Sequence, residues 1–243
     1  MEIKLYYIFH SCFAIETRDL VIIIDYFNDS EPGDKGLVHH QLLSTKKKLY
    51  VLSTHAHHDH FNPEILSWAD KRKDIQYILS KDILDSRLSK KEDAFYIDKG
   101  ESYEDEQLSI EAFGSTDQGI SFLIHLGNKL IFHAGDLNNW HWRSESTLQE
   151  SQLAEEWYLR ELTDIYRKYK AIDLVMFPID KRLQADYDLG AKQFIEKIET
   201  NYIAPMHFHE DYIGVNTFEA VAKEYDTQFL KITHRGQEFD LKL

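Results

Sequence analysis

Four of the thirteen histidines stand within six residues, at His55, His57, His58 and His60, with Asp59 among them. Imidazole nitrogens and carboxylate oxygens are borderline-to-hard donors that suit zinc, manganese or iron. The cluster directly follows a short apolar strand at 49–52. It directly precedes Asn62-Pro63, a helix start with Asn as N-cap and Pro at the first helical position. A strand end fixes the backbone, and a tight loop after it aims several side chains into one cavity. Packing so many polar rings beside a core strand is costly unless they share a partner, which a metal ion would be. The plainer alternative is a solvated His-rich turn.

The elements that must hold this cluster are legible as alternating patterns. Strands are predicted at 3–9, 12–17 and along the apolar run 20–24, which ends at Asp25, and 28–35 reads as a loop. Further strands are predicted at 75–79, 94–97, 108–113, 120–125 and 129–132, with Gly127-Asn128 turning the last pair. A helix predicted over 148–169 puts Leu153, Trp157, Leu162, Ile165 and Tyr166 on its apolar side. Glu150, Glu155, Glu156, Glu161 and Asp164 fall on its polar side. Strands at 173–177, 202–205, 229–232 and 237–241 then alternate with helices at 189–198 and 217–225. This order predicts two sheets packed between helical layers.

Composition narrows the function classes. A chain of 243 residues with 43% hydrophobic and 13% aromatic residues can bury a sizeable core, and a single domain is expected. Lys plus Arg number 28 against 42 Asp plus Glu, a formal charge of −14, which disfavours a broad nucleic-acid groove. The single cysteine, Cys12, excludes an internal disulfide and any Cys-rich zinc module, and fits a reducing compartment as a small core residue. No signal peptide is evident, and the longest apolar run, 20–24, is too short to cross a bilayer, so a soluble cytoplasmic protein is expected.

The spacing His55-x-His57-x-Asp59-His60, between a strand and a helix, resembles the metal-binding signature of the metallo-β-lactamase superfamily. The resemblance extends to Val21–Asp25, to the Gly-Asp pair in Phe132-His-Ala-Gly-Asp136 and to Ala204-Pro-Met-His207. Together with His10-Ser-Cys-Phe13, these segments look most like the branch that contains ascorbate-6-phosphate lactonase and its hydrolase relatives. The resemblance implies an α/β fold, a four-layered αββα sandwich, as one domain over 1–243. It implies His55 and His57 on one metal, Asp59, His60 and His207 on a second, and Asp136 bridging both. The cofactor would be one or two divalent ions, Zn2+ first, with Mn2+ or Fe2+ as alternatives. His58 lies outside the pattern, and Asp25 is expected to orient the His loop rather than to bind metal.

One departure from the family pattern stands out. Another histidine is expected between the first cluster and the Gly-Asp pair, yet residues 112–119 contain none. Asp117, in a Gly-flanked loop, is the best replacement; an ordinary turn aspartate is the alternative.

Other positions carry paired readings. His10 would line the pocket beside Asp25 or be a satisfied strand-end histidine, and His209 is expected at the rim. Trp140 and Trp142 would wall the substrate, with His141 and Arg143 reaching an anionic group, or the whole 138–143 stretch would dock the long helix. Asp180, Lys181 and Arg182, after a strand end, would receive phosphate or carboxylate or be a solvated charge cluster.

The expected activity is metal-dependent hydrolysis of a small ester, lactone, amide or phosphodiester by an activated water, with Asp59 also a candidate proton shuttle. The rivals are a non-catalytic metal-binding or regulatory protein, a nuclease-type phosphodiesterase, and redox use of iron. The expected partner is a small-molecule substrate, with no membrane and nucleic acid disfavoured.

Overall fold

The computed structural model describes residues 1–243. In chain order the strands are β1 (Glu2–Phe9), β2 (Cys12–Glu16), β3 (Leu20–Ile24), β4 (Lys48–Ser53), β5 (Ile75–Ser80), β6 (Phe95–Ile97) and β7 (Ser102–Glu104). They continue as β8 (Ser109–Gly114), β9 (Ile120–Leu126), β10 (Lys129–His133), β11 (Ala171–Pro178), β12 (Glu199–Met206), β13 (Gln228–Phe229) and β14 (Gln237–Lys242). The helices are α1 (Leu37–His40), α2 (Glu64–Lys71), α3 (Lys81–Asp85), α4 (Leu148–Lys168), α5 (Leu189–Lys197), α6 (Tyr212–Val215) and α7 (Glu219–Glu224). One seven-stranded sheet runs β14-β1-β2-β3-β4-β5-β6, the other β13-β12-β11-β10-β9-β8-β7. Both sheets are mixed, and helices cover them, giving the expected layered α/β sandwich.

The side-chain alternation of the strands builds two cores. On β3, Ile22 and Ile24 join the core between the sheets, while Val21 and Ile23 face the opposite way, into a second core with Val38, Ile65 and Trp68. A strand buried on both faces reads as a continuous apolar run, which is why 20–24 shows no polar alternation. On the other outer face, Tyr158, Leu162 and Ile165 of α4 pack with Phe194 of α5 and Phe132 of β10. No helix is long and apolar enough to cross a membrane.

The differences from expectation are local. Leu153 and Trp157 are 57% and 42% exposed, whereas Tyr158 and Glu161 are buried. Glu161 lies under the sheet edge because Lys99, arriving from the β6–β7 connection, bonds its carboxylate at 2.6 Å. The 28–35 loop contains a 3-10 turn at Gly33–Lys35 and leads into α1, and β7 and the shortness of β13 were not anticipated. Helix α4 starts at the predicted Leu148, where Thr147 and Glu150 form a reciprocal capping box.

The ends of β3, β4, β10, β11 and β12 carry Asp25, Thr54, Asp136, Asp180 and His207 respectively, so the two sheets deliver their carboxyl ends to one rim of the sandwich. There the Ile120 amide donates to the Thr54 carbonyl at 3.0 Å and the His207 amide to the His10 carbonyl at 3.3 Å, lacing the two sheets together. Ligand sites of open α/β sheets lie at such carboxyl ends.

Candidate metal centre

The His55–His60 loop is pinned before it reaches any ligand. Asp25 at the tip of β3 accepts the Thr54 amide and hydroxyl, both at 2.7 Å, and meets His60 Nδ1 at 2.7 Å. Asp82 of α3 accepts the Ala56 amide at 2.8 Å and the Gln118 side chain at 2.7 Å, tying the His loop to the 115–119 loop. Asn62 caps α2 by accepting the Glu64 amide at 3.0 Å. Nothing in the sequence marks Asp82, one of two aspartates in a short charged helix.

Two groups of donor atoms result. His10, Asp59, His60 and His207 form one, and His55, His57 and Asp136 the other, the atoms of each group lying within 4.8 Å of one another. Asp136 stands between them: its Oδ1 is 3.1 Å from His60 Nε2 and 3.4 Å from His207 Nε2, while its Oδ2 is 3.4 Å from His55 Nε2. This is the disposition of a bridging carboxylate. Cations bound at about 2.0–2.1 Å by tetrahedral donors set those donors about 3.3 Å apart, so the spacing fits.

The residues present fit a metal by a second criterion. His10 Nδ1 and Nε2, His60 Nε2 and Asp136 Oδ1 are all buried without a hydrogen-bond partner. Orphaned buried polar atoms are costly and rare, and three residues with such atoms at one place call for a shared cation. Burial opposes the Asp136 charge, but His60 and His207 hold its carboxyl well below the usual range. Burial also works against Asp59, yet His10 and His60 keep it ionised, and burial pushes the His10 imidazole down to about 4, neutral at physiological pH.

Carboxylates behind the rings set their orientation. His60 Nδ1 meets Asp25, and His207 Nδ1 meets Asp180 Oδ2 at 2.9 Å, so each ring is turned with Nε2 toward Asp136. Asp180 is 2% exposed and its carboxylate is taken up by His207 and Arg182, so the structure places it behind His207 rather than in contact with a substrate. Asp180→Asn is expected to lower metal affinity about 10- to 100-fold with little change in the thermal midpoint of the metal-free protein, read by competition with a chromogenic chelator.

A cavity of about 420 Å³ opens over the two groups, lined among others by Asp117, Trp140, Trp142 and Arg182. Trp140 and Trp142 stack at 6.3 Å, and the Trp140 indole donates to the Asp136 carbonyl at 2.8 Å, so the apolar wall is built onto the bridging residue itself. Asp117 lies 3.8 Å from His57 Nδ1, beside the first group. His10 meets Asp59 at 3.2 Å, not Asp25.

Three expected anion contacts do not reach the cavity. His141 is fully buried and bonds the Asp186 carbonyl at 3.1 Å. Arg143 pairs with Asp186 at 2.6 Å and with Glu155 of α4, so this half of the loop docks the long helix. Lys181 lies over the Tyr187 ring at 4.9 Å. For His141 and Arg143 a partner more than forty residues away in sequence claims the polar group. His58 is exposed, as expected of a residue outside the ligand pattern.

The family model for the beta-lactamase superfamily domain matches residues 4–152. That is more than half of the chain, and the chain belongs to this superfamily, in its metal-dependent form. Family membership and the His/Asp clusters together support divalent metal binding and a metal-dependent hydrolase class. Among solved structures the chain is similar to Igni18, a metallo hydrolase from the hyperthermophilic archaeon Ignicoccus hospitalis, at TM-score 0.70 and 18% identity over 100% of both chains. It is also similar to the metallo-beta-lactamase fold protein YhfI from Bacillus subtilis, at TM-score 0.64 and 12% identity over 98% of this chain and 99% of that one. A third likeness is to CmlA, a diiron beta-hydroxylase from Streptomyces venezuelae, at TM-score 0.65 and 14% identity over 99% of this chain and 54% of that one. At these identities the likeness is one of fold. No curated protein matches the chain in sequence.

Proposed function

We propose that the protein is a metal-dependent hydrolase acting on a small ester, lactone, amide or phosphodiester. The observation that carries this reading is the Asp136 carboxylate, which turns one oxygen to each of two donor groups beneath an open cavity. Both halves of the chain supply donors to it, which supports a single functional unit over residues 1–243.

Divalent cations at such a site lower the pKa of a water into the neutral range and offset charge on the attacked group. His55, His57 and Asp136, with Asp117 in support, would hold one cation; Asp59, His60, His207 and Asp136 would hold the other. The imidazole-rich donor set favours zinc or iron over manganese, and zinc is the first candidate. The ionised Asp59, which lines the cavity, is set to accept a hydrogen bond from the attacking water and so to orient it. Trp140 and Trp142 exclude solvent on one side. Arg182 spends Nε and one terminal nitrogen on Asp180 and is the one Lys or Arg lining the cavity, which suits an anionic group on the substrate.

The cavity volume falls in the range of small-molecule sites, and the charge of −14 weighs against the nuclease alternative. The His10–Phe13, His133–Asp136 and Pro205–His207 segments support a place near the ascorbate-6-phosphate lactonase branch.

Chelator treatment is expected to abolish turnover of generic lactone, ester or phosphodiester substrates, and zinc or manganese to restore it. Full metal occupancy without turnover across that panel would favour the non-catalytic reading, and salt-dependent RNA or DNA binding the nuclease one. Asp117→Ala is expected to weaken one of two metal sites about tenfold or more, visible by calorimetric titration; unchanged stoichiometry and affinity would make Asp117 a turn residue.

A further inference from the structure

We propose that His10 is a third imidazole donor of the second group, which makes that group the tight site, filled before the His55–His57 site. The inference deepens the proposed function and rests on the metal reading given there.

His10 occupies the two-residue turn between β1 and β2, far in sequence from the other donors. Its backbone takes φ +57°, a left-handed conformation that costs a histidine energy and is retained where surrounding structure enforces it. Two contacts enforce it here. The His10 amide donates to the Tyr7 hydroxyl at 3.1 Å, and its carbonyl accepts the His207 amide at 3.3 Å across the gap between the sheets.

The imidazole is thereby carried to the centre, with its ring centroid 4.4 Å from that of His207. The ring is fully buried and neither nitrogen has a hydrogen-bond partner. Its Nε2 stands 3.2 Å from Asp59 Oδ2, and His207 Nε2 stands 4.0 Å from that same oxygen. These separations bracket the edge of about 3.3 Å between donors on one tetrahedral cation. A ring that only lined the cavity would show a face or an edge to solvent, and this one is closed off.

The two groups are then unequal. The second has three imidazoles, Asp59 and one oxygen of Asp136. The first has His55, His57 and the other Asp136 oxygen, with Asp117 standing 53% exposed where the family pattern has a histidine. Donor number and burial both favour the second.

Cobalt(II) titration of the metal-free protein tests this, because its visible bands report the ligand set as well as occupancy. His10→Asn is the variant of choice, since Asn tolerates the left-handed backbone while losing the reach of Nε2. The first cobalt equivalent is expected to bind His10→Asn about 100-fold more weakly, at the upper end of the loss typical of an outer partner, and with the altered bands that loss of a direct donor gives and loss of an outer partner does not. His57→Asn is expected to keep the first equivalent unchanged and lose the second. At one equivalent, the wild-type protein is expected to show three paramagnetically shifted imidazole sets, a readout independent of how well either variant folds. Two sets, or a first equivalent unaffected by His10→Asn, would overturn the role of His10 while leaving the metal reading intact. A wild-type protein that takes up no cobalt would overturn both.

Discussion

Replacing Asp136 by Asn is expected to empty both donor groups at once and to lower turnover on the order of 10³-fold or more. The Asp136 carboxylate faces both groups: one oxygen lies 3.1 Å from His60 Nε2 and the other 3.4 Å from His55 Nε2. An amide keeps the shape but offers a single neutral oxygen, so one site loses a donor and both lose the charge that opposes two cations. The fold should survive, because the variant removes a buried carboxylate without opening a cavity. Metal content by plasma emission, beside the thermal midpoint of the metal-free variant, separates loss of metal from loss of structure. Asp164→Asn, which touches only Lys99 and Arg167 on the surface, should match the wild type in both.

The second large effect concerns a residue that binds nothing. Gly119 takes φ +71°, and a Cβ there would overlap the Thr54 carbonyl oxygen and the His55 Cβ. Neither neighbour can yield: Thr54 is held by Asp25, and its carbonyl accepts the Ile120 amide that joins the two sheets. Gly119→Ala is therefore expected to cost about 2 kcal/mol or more in stability, from the left-handed backbone and the overlap together. It should also displace His55 and weaken the first metal site selectively. Chemical denaturation reads the stability, and metal stoichiometry reads the site. A variant as stable as the wild type with full stoichiometry would show that the 115–119 loop does not press on the His loop.

How far the sequence reaches depends on how far apart in the chain the interacting groups stand. The His55–His60 cluster was legible because strand, ligand loop and helix cap lie within about twenty residues, and each leaves its own pattern. Asp25 as the residue that orients the His loop followed from a strand end, whereas Asp136 as the double-facing carboxylate came only with the family resemblance. Partnerships set by docking were not legible. His141 and Arg143 have the chemistry of anion contacts, yet Asp186 and Glu155 claim them, and nothing near either residue announces those partners. Asp180 reads as part of a charge cluster until His207, 27 residues later, is seen to rest on it.

The long helix shows the same limit from the packing side. A period of 3.6 marks an apolar stripe, but Leu153 and Trp157 are left exposed, while Glu161 is buried because Lys99 arrives to neutralise it. Turns as short as those at Gly33–Lys35 and Leu37–His40 are below the length at which periodicity can speak. His10 was recognisable as a residue near the centre, but its neighbour proved to be Asp59, in the loop after β4 of the same sheet, rather than Asp25 at the end of β3.

The central claim is that these side chains cage divalent cations, and anomalous scattering at the zinc edge from crystals grown with zinc tests it most directly. The account predicts a strong peak among the side chains of His10, Asp59, His60 and His207, and a second, weaker one beside His55 and His57, with Asp136 reaching both. Crystals grown in ample zinc that show no anomalous peak within bonding distance of Asp136 would contradict it.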